Sequence, residues 1–161
     1  MNDIAAEAGL SRQTLYDLFG GKDELMRAAI RLVKEESWRA IGERLGACST
    51  LREKLNVYFE ETVLKSFEML QSAGDPEDLI GSHNKAGMAE LEVVRKQERL
   101  LVADILSDHG FPGSEDRNAC ERLANFIVVA SMHFKHVNDK SELDELLLTL
   151  SDSVRAITGV D

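Results

Sequence analysis

Proline and cysteine are scarce in this sequence, with two residues of each, and no long apolar run is present. The two cysteines, Cys48 and Cys120, are too few for a disulfide framework and fit a reducing compartment, although two could still pair. We interpret both as small buried residues. No segment reaches the ~18 apolar residues of a membrane span, and the start lacks a basic stretch followed by an apolar run. We therefore expect a cytoplasmic protein without a membrane partner.

Arrangements of residues that would indicate catalysis or a bound cofactor are also missing. The carboxylate pairs Glu35-Glu36 and Glu60-Glu61 lie in charged helix faces with no neighbouring nucleophile, and no glycine-rich loop could cradle a phosphate. His133 and His136 are three residues apart on one helix but lack a third metal ligand at a convincing spacing. We expect no enzymatic activity, no metal and no cofactor.

Helix-forming residues at helical spacing dominate the chain, whereas Val, Ile and Thr seldom alternate with polar residues. Together with the scarcity of proline, this pattern predicts an all-α fold. We expect N-caps at Ser11, Thr50, Ser114 and Ser141, the last with a capping box to Asp144. The predicted helices cover about 2–8, 11–19, 22–46, 50–73, a short piece after Pro76, 85–108, 114–137 and 141–158.

Residues 4–19 follow a pattern typical of a helix-turn-helix. Small side chains at Ala5 and Ala8 allow two helices to cross closely, and Gly9 permits the positive φ of a tight turn between them. We expect three leucines to fill the wedge between the helices: Leu10, Leu15 and Leu18. This packing leaves for solvent a set of groups that hydrogen-bond base edges or phosphates: Arg12, Gln13, Thr14, Tyr16 and Asp17.

The distribution of charge decides which end of the chain can face DNA. The net charge of −10 opposes nucleic-acid binding as a whole. Residues 1–34, however, contain five basic and five acidic residues, so this segment is neutral and the remainder carries the entire excess. A DNA-facing surface must therefore lie at the N-terminal end.

A spaced set of residues in this segment points to a known family. It reads Ile4-Ala5, Ala8-Gly9-Leu10-Ser11, Thr14-Leu15-Tyr16, Phe19 and then Lys22-Asp23-Glu24-Leu25. In this order and spacing the segment resembles the signature of the tetracycline-repressor (TetR) family of transcriptional regulators. The resemblance implies an all-α homodimer with a helix-turn-helix DNA-binding region over 1–34 and a helical ligand-binding and dimerisation domain over 35–161. Beyond the motif the resemblance is one of layout alone.

The same resemblance assigns roles to the N-terminal residues. It implies that the helix capped by Ser11 is the recognition helix and that Thr14, Tyr16 and Lys22 bind phosphates. A lysine in the first turn of a helix opposes the helix dipole, so a phosphate partner accounts for Lys22. We interpret Arg12 and Gln13 as base-reading residues. Asp17 either accepts from a cytosine amino group or positions Arg12 or Gln13.

One departure from the family pattern concerns the start of the chain. Family members have a whole helix before this motif, whereas here Met1 stands three residues before Ile4, so the first helix is missing from the sequence. We expect either a true start further upstream or the loss of that helix. The loss would favour an alternative function, a helical dimer that does not bind DNA and acts as a small-molecule sensor or carrier.

The resemblance also implies a ligand pocket formed by the middle helices. Large or adaptable side chains able to line an apolar cavity are Trp38, Tyr58, Phe59, Phe67, Met69, Met88 and Phe126. In a turn between helices, His83 could contact a polar ligand group. Ordinary core packing is the alternative for the apolar residues, and an exposed loop position is the alternative for His83. The expected ligand is a small apolar or aromatic effector.

The last two helices carry apolar stripes that fit the dimer interface implied by the resemblance. The residues predicted to form it are Phe134, Leu143, Leu146, Leu147, Leu150 and Val154. Packing inside one chain is the alternative for part of each stripe. We expect a homodimeric repressor on a palindromic double-stranded operator, released when the effector shifts the long helix that follows the helix-turn-helix.

Overall fold

The computed structural model describes residues 1–72, 85–134 and 136–160, and every regular element within these ranges is a helix. The predicted all-α fold class is therefore confirmed. None of these helices is both long and apolar enough to cross a membrane. The elements are α1 Asn2–Glu7, α2 Arg12–Phe19, α3 Lys22–Leu45, α4 Leu51–Phe59, a π-helical turn Glu60–Leu64, α5 Lys65–Ser72, α6 Lys85–His109, α7 Arg117–Phe134 and α8 Lys140–Thr158.

Two helices begin where the sequence predicted their N-caps. The side chain of Ser11 accepts a hydrogen bond from the backbone N–H of Thr14 at 3.0 Å, and Thr50 forms a reciprocal capping box with Glu53. These contacts satisfy amide groups that have no partner inside the helix, so α2 and α4 start at the next residue. Backbone hydrogen bonds from Ser49 and Thr50 also lower the pKa of Glu53.

The predicted start of α7 was wrong by three residues. Ser114 does not cap the helix, because its hydroxyl accepts a hydrogen bond from the backbone of Phe111 at 3.1 Å and so closes the preceding turn. Asp116 takes the place next to the helix, where its carboxylate accepts from a backbone N–H at 2.9 Å. The helix therefore begins at Arg117, and it ends at Phe134 rather than near residue 137.

The predicted cap of α8 was wrong as well. Asp139 is the N-cap, and its carboxylate accepts a hydrogen bond from the backbone N–H of Glu142 at 2.8 Å. The box predicted between Ser141 and Asp144 therefore lies inside the helix. A carboxylate at the N-cap also interacts favourably with the positive end of the helix dipole.

The helix predicted over 50–73 contains a wide turn. Glu60–Leu64 is π-helical, with hydrogen bonds that span one residue more than those of an α-helix. Thr62 and Val63 in this turn are buried, and the Thr62 hydroxyl donates to the backbone carbonyl of Tyr58 at 2.7 Å. The turn thus lies against the core between α4 and α5. The short helical piece predicted after Pro76 lies outside the described residues.

The core is shared by α4 to α8 and the π-helical turn. Its side chains are at most 8% exposed and include Leu55, Tyr58, Val63, Phe67, Val102, Leu106, Cys120, Ile127 and Leu143. Cys120 is thus buried as predicted, whereas Cys48 is only half-buried, and both cysteines are free. Burial of this apolar surface is the main source of the fold's stability.

Four residues predicted for the dimer interface belong to this core instead. Leu143, Leu147, Leu150 and Val154 are only 0%, 8%, 4% and 1% exposed. Since α8 packs against α4 and α7 of the same chain, its leucine stripe is covered within the monomer. Phe134 and Leu146 are half-buried. The stripe is therefore not the exposed surface that the sequence indicated.

The long helix α3 connects the N-terminal helices to the core. It packs against α4, the π-helical turn and α6, and of its 24 residues only Ser37 and Ile41 are buried. The boundary predicted between residues 34 and 35 falls inside this helix. The division into two domains stays a prediction.

Candidate nucleic-acid interface

A tight turn sets the angle between α1 and α2. Gly9 has a φ of 65°, a conformation that favours glycine, and the backbone N–H of Leu10 donates to the carbonyl of Ala5 at 2.9 Å. The second helix then starts at its Ser11 cap and ends at Gly20, which has a φ of 72°. Both ends of α2 are thus fixed by local hydrogen bonds and glycine conformations.

The packing beneath α2 differs from the predicted wedge. Leu15, at 2% exposed, and Ala5, at 4% exposed, are the only buried residues of α2 and α1. Leu10 and Leu18 were also predicted to be buried, but they are 43% and 64% exposed. The physical reason is that α1 has six residues, of which only Ala5 is buried, so it is too short to cover Leu10 and Leu18 as well.

The outer face of α2 carries the residues predicted to contact DNA. Ser11, Arg12, Gln13 and Asp17 are exposed, Thr14 is half-buried, and Tyr16 is 36% exposed. All of them lie on one eight-residue helix and its cap, a length suited to the major groove. Their contacts with DNA stay a prediction.

Side-chain contacts divide this face into two pairs. The guanidinium carbon of Arg12 lies 5.4 Å from the ring centroid of Tyr16, a cation–π contact. Gln13 Nε2 donates a hydrogen bond to Asp17 Oδ1 at 2.8 Å. Asp17 therefore orients Gln13 rather than Arg12 in this structure.

Ion pairs occupy most of the cations in the N-terminal segment. Within the part of the chain that the structure describes, Arg27 pairs with Glu24, Arg31 with Glu90 and Lys34 with Glu98. Lys22, the first residue of α3, and Arg12 take part in none of the described ion pairs. These two side chains are therefore the cations of residues 1–34 that remain available for phosphate.

Two of these ion pairs join α3 to α6. Arg31 donates two hydrogen bonds to the carboxylate of Glu90, both at 2.9 Å, which raises the pKa of Arg31 and lowers the pKa of Glu90. Lys34 Nζ lies 3.0 Å from Glu98 Oε1, and Glu98 is 7% exposed. The sequence interpretation missed both pairs. The charged residues of α3 and α6 recur at helical spacing, but a single sequence does not show which two helices pack together.

The residues predicted to line a ligand pocket do not form one cluster. Tyr58, Phe59 and Phe67 are buried in the core, and Trp38 on α3 is half-buried. Three others are exposed at the surface by 44–50%: Met69, Met88 and Phe126. His83 lies outside the described residues. Their role in ligand binding stays a prediction.

Polar groups surround the hydroxyl of Tyr58 inside this core. Burial raises the pKa of Tyr58 well above its usual range, and the nearby carboxylate of Glu98 raises it further. Hydrogen bonds with the side chains of Ser131 and Thr62 act in the opposite direction. Tyr58 therefore stays protonated inside the core.

Comparisons with known proteins agree with the N-terminal geometry. Residues 1–29 match the family described as "Bacterial regulatory proteins, tetR family". An uncharacterized HTH-type transcriptional regulator of Bacillus subtilis (strain 168), YezE, is 33% identical over 63 residues. That match spans 39% of this chain and 32% of the relative. No solved structure matched the chain. Residues 1–29 of this chain are therefore similar to the N-terminal region of the tetR family of bacterial regulatory proteins.

Proposed function

We propose that this chain is a DNA-binding transcriptional regulator that places α2 in the major groove of double-stranded operator DNA. The observation that carries this proposal is the outer face of α2, where Arg12, Gln13 and Asp17 stand exposed on a helix capped at both ends. Guanidinium, amide and carboxylate groups are those that distinguish base edges in that groove. Lys22 and Tyr16 flank this face and serve as phosphate contacts.

Gel-shift titrations with DNA from upstream of the protein's own gene test this proposal. We expect Lys22→Ala to weaken binding to all sequences alike, because phosphate contacts carry no sequence information. The charge-matched control is Lys140→Ala, at the start of α8, which should leave the affinity unchanged. Failure of the protein to bind any fragment, or equal effects of the two variants, would contradict the proposal.

We further propose that the protein acts as a homodimer through the outer faces of α7 and α8. The exposed apolar residues that we assign to this interface are Phe126, Val129 and Ile157, at 50%, 44% and 59%. Leu146 is about three turns from Ile157 and lies on the same side of α8. Large apolar side chains exposed on two neighbouring helices favour association, and a two-fold dimer would present two copies of α2 to a palindromic operator.

Light scattering tests this assembly, with an expected mass of about twice the 17.9 kDa of the chain. Ile157→Glu and Phe126→Glu should give monomers. Leu148→Glu is the matched control, because Leu148 is similarly exposed at 54% but lies about half a turn away from Ile157 around α8. A wild-type monomer, or dissociation caused equally by Leu148→Glu, would rule out this interface.

Release of the regulator by a small apolar or aromatic effector is the last part of the proposed function. It is supported by α3, which carries Lys22 at one end and packs against α4 and α6 further along, so a shift of the middle helices would move the DNA-binding end. A bound effector at ~100 times its dissociation constant should add ~2.7 kcal/mol of stability.

A thermal-shift screen of apolar and aromatic compounds, followed by gel shifts with the compounds that bind, tests this part. The expected result is a stabilising compound that lowers operator affinity and restores transcription of the regulated gene. Compounds that bind while operator affinity stays unchanged would contradict release by an effector. Lower transcription in a strain without the regulator would contradict the repressor role.

A further inference from the structure

The contact between Asp17 and Gln13 determines which hydrogen-bonding groups α2 presents. Gln13 Nε2 donates to Asp17 Oδ1 at 2.8 Å, and both residues are exposed on the outer face of the helix. The two positions are one helical turn apart, so their side chains are neighbours on the surface. Since Asp17 offers only acceptor atoms, this bond fixes the orientation of the Gln13 amide.

The orientation of Gln13 determines which hydrogen-bonding groups of its amide stay free to contact a base. Its amide begins with two N–H donors and one acceptor oxygen, and Asp17 uses one of the donors. One donor and one acceptor remain. The major-groove edge of adenine offers the complementary pair, an acceptor at N7 and a donor at N6. Guanine offers two acceptors, at N7 and O6, and would require both donors of the amide.

Arg12 is not the partner of Asp17 in this arrangement. Its guanidinium lies over the ring of Tyr16, 5.4 Å from the centroid, whereas the carboxylate of Asp17 accepts from Gln13. An acidic group on a surface that faces phosphates reduces affinity through repulsion. Orientation of Gln13 gives this carboxylate a role that offsets the repulsion.

We propose that Asp17 is a positioning residue that orients Gln13 to select an adenine in each operator half-site. The proposal rests on the proposed DNA-binding function and specifies one position of the sequence that is recognised. It separates two properties of the same side chain. The charge of Asp17 lowers affinity for every DNA sequence, whereas its acceptor oxygen sets the preference for adenine.

Selection of bound sequences from a randomised DNA pool, followed by competition titrations, tests the proposal. For the wild-type protein we expect one A·T pair per half-site whose replacement by G·C lowers affinity by about 5-fold or more. Gln13→Ala should abolish this discrimination, which identifies the position that Gln13 reads. Asp17→Ala should raise affinity for all sequences and reduce the discrimination at that same position to below about 3-fold.

Two further variants separate orientation from charge and from folding. Asp23→Asn removes one negative charge from the first turn of α3, so it should raise affinity without changing the adenine preference. In the Gln13→Ala background, Asp17→Ala should cause no additional loss of preference. Asp17 is exposed, and circular dichroism would verify that each variant keeps its helices.

The outcomes distinguish this inference from the function on which it rests. If Asp17→Ala keeps the wild-type preference for adenine, or if Gln13 reads a base other than adenine, the positioning role is overturned while DNA binding stands. If the wild-type protein binds no DNA at all, the proposed function itself fails. A loss of preference in Asp23→Asn equal to that in Asp17→Ala would attribute the effect to charge and overturn the inference.

Discussion

Glu61 carries a carboxylate that the fold buries beside two cations. It is 5% exposed, lies 2.8 Å from Arg44 through its Oε1, and forms a second ion pair with Lys65. Burial by itself opposes ionisation of Glu61, but the hydrogen bonds from Lys65 and Arg44 outweigh it and lower its pKa. We expect Glu61→Gln to destabilise the protein by ~1–2 kcal/mol near neutral pH, a modest value because both cations are largely exposed.

The pH dependence of this loss follows from the lowered pKa. Because the folded state holds Glu61 ionised at a lower pH than the unfolded state does, its contribution is complete at neutral pH. The contribution disappears as the pH falls through the folded pKa. Urea denaturation of Glu61→Gln and of the wild type at about pH 7 and at about pH 3 should therefore show a smaller difference in stability at the lower pH. Glu60→Gln is the matched control, since Glu60 also pairs with Arg44 but is exposed, and its effect should be small at both pH values.

At single positions, the sequence predicted caps and turns better than burial. Ser11 and Gly9 were identified correctly, because capping and a positive φ depend on neighbours within a few residues. The N-cap predicted at Ser141 was wrong, because Asp139, two residues earlier, is an equally good capping residue and the local backbone conformation selects between them. The predicted burial of Leu18 was wrong, because burial depends on which other helix packs over the side chain, and residues close in sequence do not determine this.

At the scale of helices, α3 and α6 are joined by a partly buried ion pair. The side chains of Lys34 and Glu98 are 17% and 9% exposed. Removal of either one therefore leaves the other as an unpaired charge that water solvates poorly. We expect Lys34→Met to destabilise the protein by roughly 2–3 kcal/mol. Adding Glu98→Met should recover most of this loss, because an apolar pair replaces an ion pair at little cost in a buried site.

Urea midpoints of the two single variants and the double variant form the cycle that measures this coupling. Arg31→Ala serves as the control on the same face of α3, since the Arg31 side chain is 56% exposed and its loss should matter less. A double variant no more stable than Lys34→Met alone would show that the ion pair does not couple the two helices.

Helix periodicity identified the apolar face of α8 but assigned it to the wrong partner. The spacing of Leu143, Leu147, Leu150 and Val154 marks one continuous face, and the structure buries all four. A stripe on one helix does not reveal whether a neighbouring helix or a second subunit covers it. The proposed interface instead uses the exposed residues Phe126 and Ile157, whose exposure depends on which surfaces reach them and not on periodicity.

For the molecule as a whole, the salt dependence of DNA binding is limited by how few cations of residues 1–34 lie outside the described ion pairs. Each protomer has two such side chains, Lys22 as the proposed phosphate contact and Arg12 as a base-edge contact whose charge also lies among the phosphates, so a dimer would place four cations against the DNA. The logarithm of the binding constant should then fall with the logarithm of salt concentration with a slope of about −3.6. Lys22→Ala should reduce the magnitude of the slope by about 1.8 in the dimer, and Lys140→Ala should leave it unchanged.

Titrations at three or more salt concentrations measure this slope directly. A magnitude near twice the expected value would mean that cations now paired with carboxylates, such as Arg27 and Arg31, leave their partners to contact DNA. Equal slopes for the wild type and Lys22→Ala would exclude Lys22 as a phosphate contact.

The π-helical turn has a consequence for insertions and deletions in this chain. Phe67 follows Leu55 by twelve residues, which in an uninterrupted α-helix would put them about 120° apart, yet both are buried in one core. The turn absorbs one surplus residue, so that α5 keeps the phase of α4. Deletion of the exposed Glu60 should let the turn relax to a regular α-helix with Phe67 still inward, and thermal denaturation should record only a small loss. Deletion of the exposed Lys96 from the regular α6 would instead rotate Val102 and Leu106 out of the core and unfold the protein. We therefore expect the gene to tolerate the loss of this one codon, although the turn that it encodes packs against the core.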